Sequence, residues 1–394
     1  MPTTRAQARG GQLLQMCSAR EAREREECLE VNVLEQPAGA HASSVRRTID
    51  VTRAVKKYKR PEAGAPPRPP SELRPLSVLR ATVEYLLRLW HGRADVSPLS
   101  RYLFLSDRLR AVQQDLTVQQ LHCPALLARI VRFHLLMELE FCALPLAAEA
   151  GYSSVHNRTL LCNALISALE RPAECPARLH AELLGYFVLL HANLPNAPLL
   201  FHSELARASP SVAASPRVRR ALAIAAALAR DDAAGLRRAL SSAPLLEVAA
   251  VLRLLPIMRG AALAGCNAAY AAREDFPLRA LQRLLWLRSP DEARRCAEAH
   301  GLAIAPADGS GADGGADGGG GGGSSDGSLH FHAAGFKREA AAIEPPLLPP
   351  PLAAVERWRE REGRGGGADG GADGGGQDWS FRLLCSGEEA TAGA

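Results

Sequence analysis

From Leu76 to Gly301 apolar residues recur every three or four positions with only short polar interruptions, a period that packed helices satisfy and strands do not. Leu79, Val83, Leu86 and Trp90 fall on one helical face, while Arg80, Glu84 and Arg88 are spaced for i,i+4 pairing on a solvated one. The same pattern predicts helices over residues 99–121, 125–144, 158–170, 178–193, 216–230, 234–241, 245–255, 259–272 and 277–287. The helix at 125–144 is apolar on most sides and should be central. Short connections make neighbouring helices antiparallel pairs, so residues 76–272 read as a helical repeat.

Local signals set the end of this run. In Ser289-Pro-Asp-Glu292 the serine can cap a helix, Pro290 suits its first position and Glu292 can close a capping box. Gly301 supplies the left-handed residue that stops it. Residues 302–305 and 328–332 alternate as short strands, so helix, helix, strand, wing and strand follow one another over 273–337 in winged-helix order. Glycine and aspartate fill an insert at 306–327, and they recur in a tail from 338 to 394. These stretches and residues 1–15 lack apolar periodicity and read as disordered, apart from a helix at 352–362. Residues 16–75 form a basic, proline-rich strap ahead of the repeat.

Several classes of function are excluded. The most apolar region, 244–265, is interrupted by Glu247, Arg253, Pro256 and Arg259, which argues against a membrane span, and residues 1–15 carry no secretory signal. The nine cysteines include no C-x-x-C pair and read as reduced thiols. Gly309-Ser-Gly311-Ala-Asp-Gly314 matches a dinucleotide fingerprint, but no helix follows to present its N-terminus to a phosphate. There is no P-loop and no nucleophile elbow. His134 and Glu138 lack the second histidine of a zinc motif and read as polar residues bonded within a helical core. His330 and His332 share a strand face without a cysteine or carboxylate partner. The expectation is a protein with no catalytic residues, cofactor, metal, small-molecule substrate or membrane contact.

Charge gives the positive lead. The net charge is +5, yet residues 45–80 hold ten basic and three acidic side chains, leaving the rest of the chain slightly acidic. Three of the four lysines lie in Lys56-Lys-Tyr-Lys59. The strip Arg53, Lys56, Lys57, Lys59 and Arg60 therefore reads as a nuclear-import patch or a phosphate-contacting surface.

Three ordered blocks carry a family resemblance. They are Arg53-Ala-Val-Lys-Lys-Tyr-Lys-Arg-Pro61 with Leu73-Arg-Pro-Leu-Ser-Val-Leu79, then Phe104-Leu-Ser-Asp-Arg-Leu-Arg110, then Ala128-Arg-Ile-Val-Arg-Phe-His134. The sequence resembles the suppressor-of-actin (Sac-three)/germinal-centre-associated nuclear protein (GANP) family over about 16–336, as a short single-domain member. The resemblance implies a PCI-type architecture, a right-handed TPR-like helical repeat capped by a winged helix. It further implies a scaffold subunit of a TREX-2-like mRNA-export complex in the nucleus or at its envelope. Its partners would be a second PCI-domain protein, a small acidic peptide subunit, and RNA or single-stranded DNA bound weakly and without sequence preference. On the winged helix the implied contacts are Arg279, Arg283, Arg288, Arg294, Arg295, Lys337 and Arg338. The alternative is a protein-only scaffold in centrosome duplication or spindle assembly, in the cytoplasm. Lys57 and Lys59 replace an acidic and a small polar residue of the family pattern, which favours import. Only Cys17 and the run Arg20–Glu27 remain of the family's N-terminal cysteine element.

Overall fold

The computed structural model describes residues 10–141 apart from 38, 40–46, 65 and 94, and residues 152–338 apart from 271–274, 303, 306–327, 330 and 332–335. The glycine insert, the tail from 339 with its expected helix, His330 and His332 lie outside the described residues. The fold is mainly helical. In chain order the helices are α1 Ala19–Glu27, α2 Leu76–Gly92, α3 Pro98–Val118, α4 Pro124–Phe141, α5 Ser154–Leu169, α6 Ala177–Leu190 and α7 Ala197–Arg207. They continue with α8 Pro210–Ala213, α9 Pro216–Ala229, α10 Ala233–Ser241, α11 Leu245–Val251, α12 Leu255–Ala269, α13 Leu278–Leu284 and α14 Pro290–Ala299. Two compact units divide the chain, with boundaries inside α4 at 137/138 and inside α6 at 183/184.

The first unit is built on α2 and α3, which pack together. The periodic residues Leu79, Val83, Leu86 and Trp90 are all buried, as are Leu105, Leu109, Val112 and Leu116 of α3. Trp90 meets Phe133 of α4 edge-on at 6.2 Å between ring centroids, and Tyr102 of α3 stacks on the same ring at 6.4 Å. His134 is buried with its Nδ1 2.7 Å from Asn157 Oδ1, and Asn157 Nδ2 donates to the His134 carbonyl at 3.0 Å. These bonds satisfy polar groups that a buried α4–α5 contact would otherwise strand.

In the second unit α9 packs on α10, and Glu247 of α11 accepts both Arg220 Nε and Nη2 at 2.7 and 2.8 Å. Glu138 accepts from Arg253 Nε at 3.0 Å. The stretch Leu245–Ala269 is long and apolar enough to cross a membrane, but 72% of its most apolar window is buried in the fold. A 3-10 turn, Leu252–Leu254, breaks it, and Pro256 is accommodated in the first turn of α12. After α12 come β1 Phe276–Pro277, α13, α14, β2 Ile304–Ala305 and β3 Ser328–Leu329. The three strands form an antiparallel sheet in the order β1-β3-β2, with Leu329 opposite both Phe276 and Ile304. Leu263, Leu278, Leu281, Ala293, Leu302 and Leu329 close a core between this sheet and its helices.

Three differences from the sequence-based expectation have local causes. Residues 10–15 are pinned to the strap: the Gln12 and Leu13 amides donate to the Pro70 and Leu73 carbonyls at 2.8 and 3.0 Å. Their backbone, lacking apolar periodicity, is held by hydrogen bonds. β1 is hidden in sequence because Pro277, having no amide hydrogen, fits only an edge strand. α7 buries only Ala197 and Phe201 and exposes Leu199, so its apolar period is faint.

Candidate functional site

The strap owes its position to two carboxylates that are fully buried. Glu35 ends a 3-10 turn, Val33–Glu35, and accepts Arg25 Nη1 at 2.6 Å, Arg108 Nη2 at 3.1 Å and the Val55 amide at 2.9 Å. Asp115 of α3 accepts Lys56 Nζ and Arg74 Nε, each at 2.7 Å. Lys56 Nζ also donates to the Glu72 carbonyl at 2.7 Å, and the Lys56 amide to the Met16 carbonyl at 3.0 Å. Burial pulls the Lys56 ammonium below the ordinary lysine range, against the opposing pull of Asp115. Gln119 closes the network by accepting the Gly11 amide at 2.8 Å and donating to the Arg74 carbonyl at 2.9 Å. α1 belongs to the same assembly: Ser18 caps it by accepting the Glu21 amide, and Glu21 accepts the Lys57 amide at 2.7 Å.

These contacts sort the basic strip. Lys56 is buried and its charge is consumed by Asp115, so it offers nothing to a phosphate or an import receptor in the folded chain. Arg53 pairs with Asp50 at 3.4 Å and donates to the Gln36 carbonyl, and Lys57 pairs with Glu30 at 2.8 Å. Lys59 stands 3.5 Å from Glu24, with its ammonium exposed. Arg60 is exposed and makes no ion pair among the described residues. Its neighbour Tyr58 carries Arg110 of α3 across its ring, with the guanidinium carbon 3.8 Å from the centroid.

The second group of basic residues lies on and after α13. Arg279 and Arg283 are exposed on α13, Arg294 and Arg295 are half-buried on α14, and Arg288 is held by Glu292 at 2.6 Å. The Lys337 amide donates to the His300 carbonyl at 2.9 Å and His300 Nδ1 donates to the Lys337 carbonyl at 2.7 Å, leaving the lysine side chain exposed. Arg338 pairs with Asp231 at 2.9 Å, both exposed. Positive charge on this unit is thus partly taken up by helix caps and surface pairs.

Chemistry elsewhere is muted. Burial pushes the Cys17, Cys175 and Cys296 thiols up to about 11, so they are protonated at neutral pH and poor nucleophiles. Cys17 packs with Ala22, Val31, Ile49 and Ala54, and its sulfur lies 3.6 Å from Arg25 Nη2. Among the described residues no group of three His, Cys, Asp or Glu side chains is placed to hold a metal ion. Sequence reasoning alone passes over Arg25, Glu35, Arg108, Arg110 and Asp115. A signal is present: Arg108 and Asp115 sit in register with Leu105, Leu109, Val112 and Leu116, so charged residues occupy apolar-face positions of α3. For α1 it is the pattern Ser18-x-x-Glu21.

The family model of the SAC3/GANP family matches residues 16–306, a span that takes in the strap, both groups of basic residues up to α14, and β2. The chain belongs to the SAC3/GANP family. It is 24% identical over 303 residues to SAC3 family protein B of Arabidopsis thaliana, covering 73% of this chain and 17% of that protein. It is 26% identical over 288 residues to SAC3 family protein 1 of Schizosaccharomyces pombe (strain 972 / ATCC 24843), covering 66% of this chain and 27% of that protein. This SAC3/GANP chain therefore spans about a quarter or less of the length of these relatives.

Proposed function

We propose that this SAC3/GANP member is a non-enzymatic scaffold that couples transcription to mRNA export as a subunit of a TREX-2-like complex in the nucleus. The observation that carries the reading is the family match over 16–306, which embraces the clamped strap, the helical body and the start of the terminal sheet in one continuous run. The terminal unit supports it. A strand, two helices and two further strands, with the last strand central in the order β1-β3-β2, support a winged-helix reading, and the helices before them are compatible with the repeat of a PCI domain. In this reading the winged helix joins that of a second PCI-domain protein, a small acidic peptide subunit braces the pair, and exposed arginines add a salt-dependent, sequence-nonspecific contact to RNA or single-stranded DNA.

Affinity purification of the tagged full chain from nuclear and cytoplasmic extracts tests the assignment. Recovery of a PCI-domain subunit together with a small acidic peptide from nuclear extract is the expected result. Recovery of tubulin or centriole components without them would replace export with a scaffold of cell division.

A further inference from the structure

We infer that the strap's nucleic-acid contact is an arginine cradle around Tyr58, formed by Arg60, Arg68 and Arg110, which takes the phosphates of single-stranded RNA, and that Lys56 and Lys57 beside it serve the fold. The inference rests on the nucleic-acid part of the proposed function and locates it.

Lys56 and Arg74 are consumed by Asp115, Arg53 by Asp50 and Lys57 by Glu30. What remains gathers at one place. The Lys59 carbonyl accepts Arg68 Nη2 at 3.1 Å and Gln114 Nε2 at 3.0 Å, which ties Lys59 to Arg68 and to Gln114 of α3. The Tyr58 amide donates to Asp107 Oδ2 at 3.2 Å, fixing the ring that carries the Arg110 guanidinium. Arg60, Arg68 and Arg110 have no carboxylate partner among the described residues, and Arg60 follows Lys59 directly in the chain.

The carboxylates nearby do not cancel this charge. Asp107 is committed to the Tyr58 amide and to Arg108, and Glu24 pairs with Arg20 at 2.8 Å besides facing Lys59. Glu62 alone subtracts without a partner among the described residues.

Residue type narrows the ligand. A guanidinium is planar and presents paired N–H donors that match two phosphate oxygens, whereas an ammonium acts as a point charge. Arg110, stacked on Tyr58, holds its plane fixed before any ligand arrives, which lowers the ordering cost of binding. An aromatic ring and guanidinium planes beside phosphate-seeking groups suit unstacked bases on a single strand, where stacking tolerates any sequence. An acidic protein segment would use the charge but not the flat surfaces.

The full chain is titrated into a fluorescently labelled oligouridylate across a salt series, with anisotropy as the readout. Replacing Arg60 and Arg110 together by glutamine is expected to weaken binding roughly tenfold and to flatten the salt slope by about 0.7 for each phosphate no longer neutralised. Lys57→Gln should leave affinity within about twofold, because that charge is already paired. Arg60 is exposed whereas Arg110 is half-buried over Tyr58, so a thermal melt of the double variant is run beside that of Arg60→Gln alone, which should weaken binding in part with a melt that superimposes on the parent. Equal weakening in Lys57→Gln and the double variant, or none in the double variant, would overturn the cradle while leaving nucleic-acid binding in place. A parent chain that binds no RNA would defeat the nucleic-acid part of the proposed function itself. Displacement of the RNA by polyglutamate at matched charge would reassign the cradle to acidic protein segments.

Discussion

Asp115 and Glu35 show how single residues decide what a charged segment does. Each has a buried carboxylate that holds two cations, in a setting where removing charges from water costs several kcal/mol per ion and only close pairing offsets it. Truncating Asp115 to alanine would leave Lys56 and Arg74 buried with one anion fewer. The expected loss is about 3–5 kcal/mol of unfolding free energy, read from urea denaturation. A loss below about 1 kcal/mol would mean that water reaches the two cations. Sequence shows the charged residues of the strap and of α3, but the partners are separated by 59 residues for Lys56–Asp115 and 73 for Glu35–Arg108, and no local period links them. A run such as Lys-Lys-Tyr-Lys looks like one uniform patch; its alternate backbone directions send Lys56 into the protein and Lys59 out of it.

At the scale of elements, the parts governed by local chemistry were legible. α14 starts as its cap predicts, with Ser289 accepting the Glu292 amide at 3.2 Å, and it stops at Gly301, whose φ of 78° a side chain would resist. Glu292, however, turns to the Arg288 amide and guanidinium at 2.9 and 2.6 Å. The two glycines within α12 separate packing from propensity. A Cβ at Gly260 would come within 2.2 Å of the Arg338 carbonyl oxygen and 3.0 Å of His300 Cε1, whereas one at Gly265 would meet nothing within 4 Å. Gly260→Ala should therefore lower the melting temperature, with a cost of about 1–3 kcal/mol from displacing residues 337 and 338. Gly265→Ala should raise it, by up to about 1 kcal/mol of helix propensity. A rise at both sites would show that helix propensity, and not packing against Arg338, governs this helix.

For the molecule as a whole, the strap is a structural part of the first unit. The Gly11, Gln12 and Leu13 amides bond to Gln119, Pro70 and Leu73, and a Cβ at Gly11 would strike the Leu73 carbonyl oxygen at 2.3 Å. Removing residues 1–15 should lower the melting temperature and speed proteolysis around residues 60–75; an unchanged cleavage pattern would show that those bonds contribute little. The helical class, most helix positions and the family could all be read from the chain alone, because each rests on periods, caps and motifs that span only a few residues. Which charges remain available could not, since it depends on folding. Burial and pairing join residues far apart in the chain, so a strip of net charge +7 becomes a clamp of buried ion pairs with Lys59 and Arg60 exposed beside it.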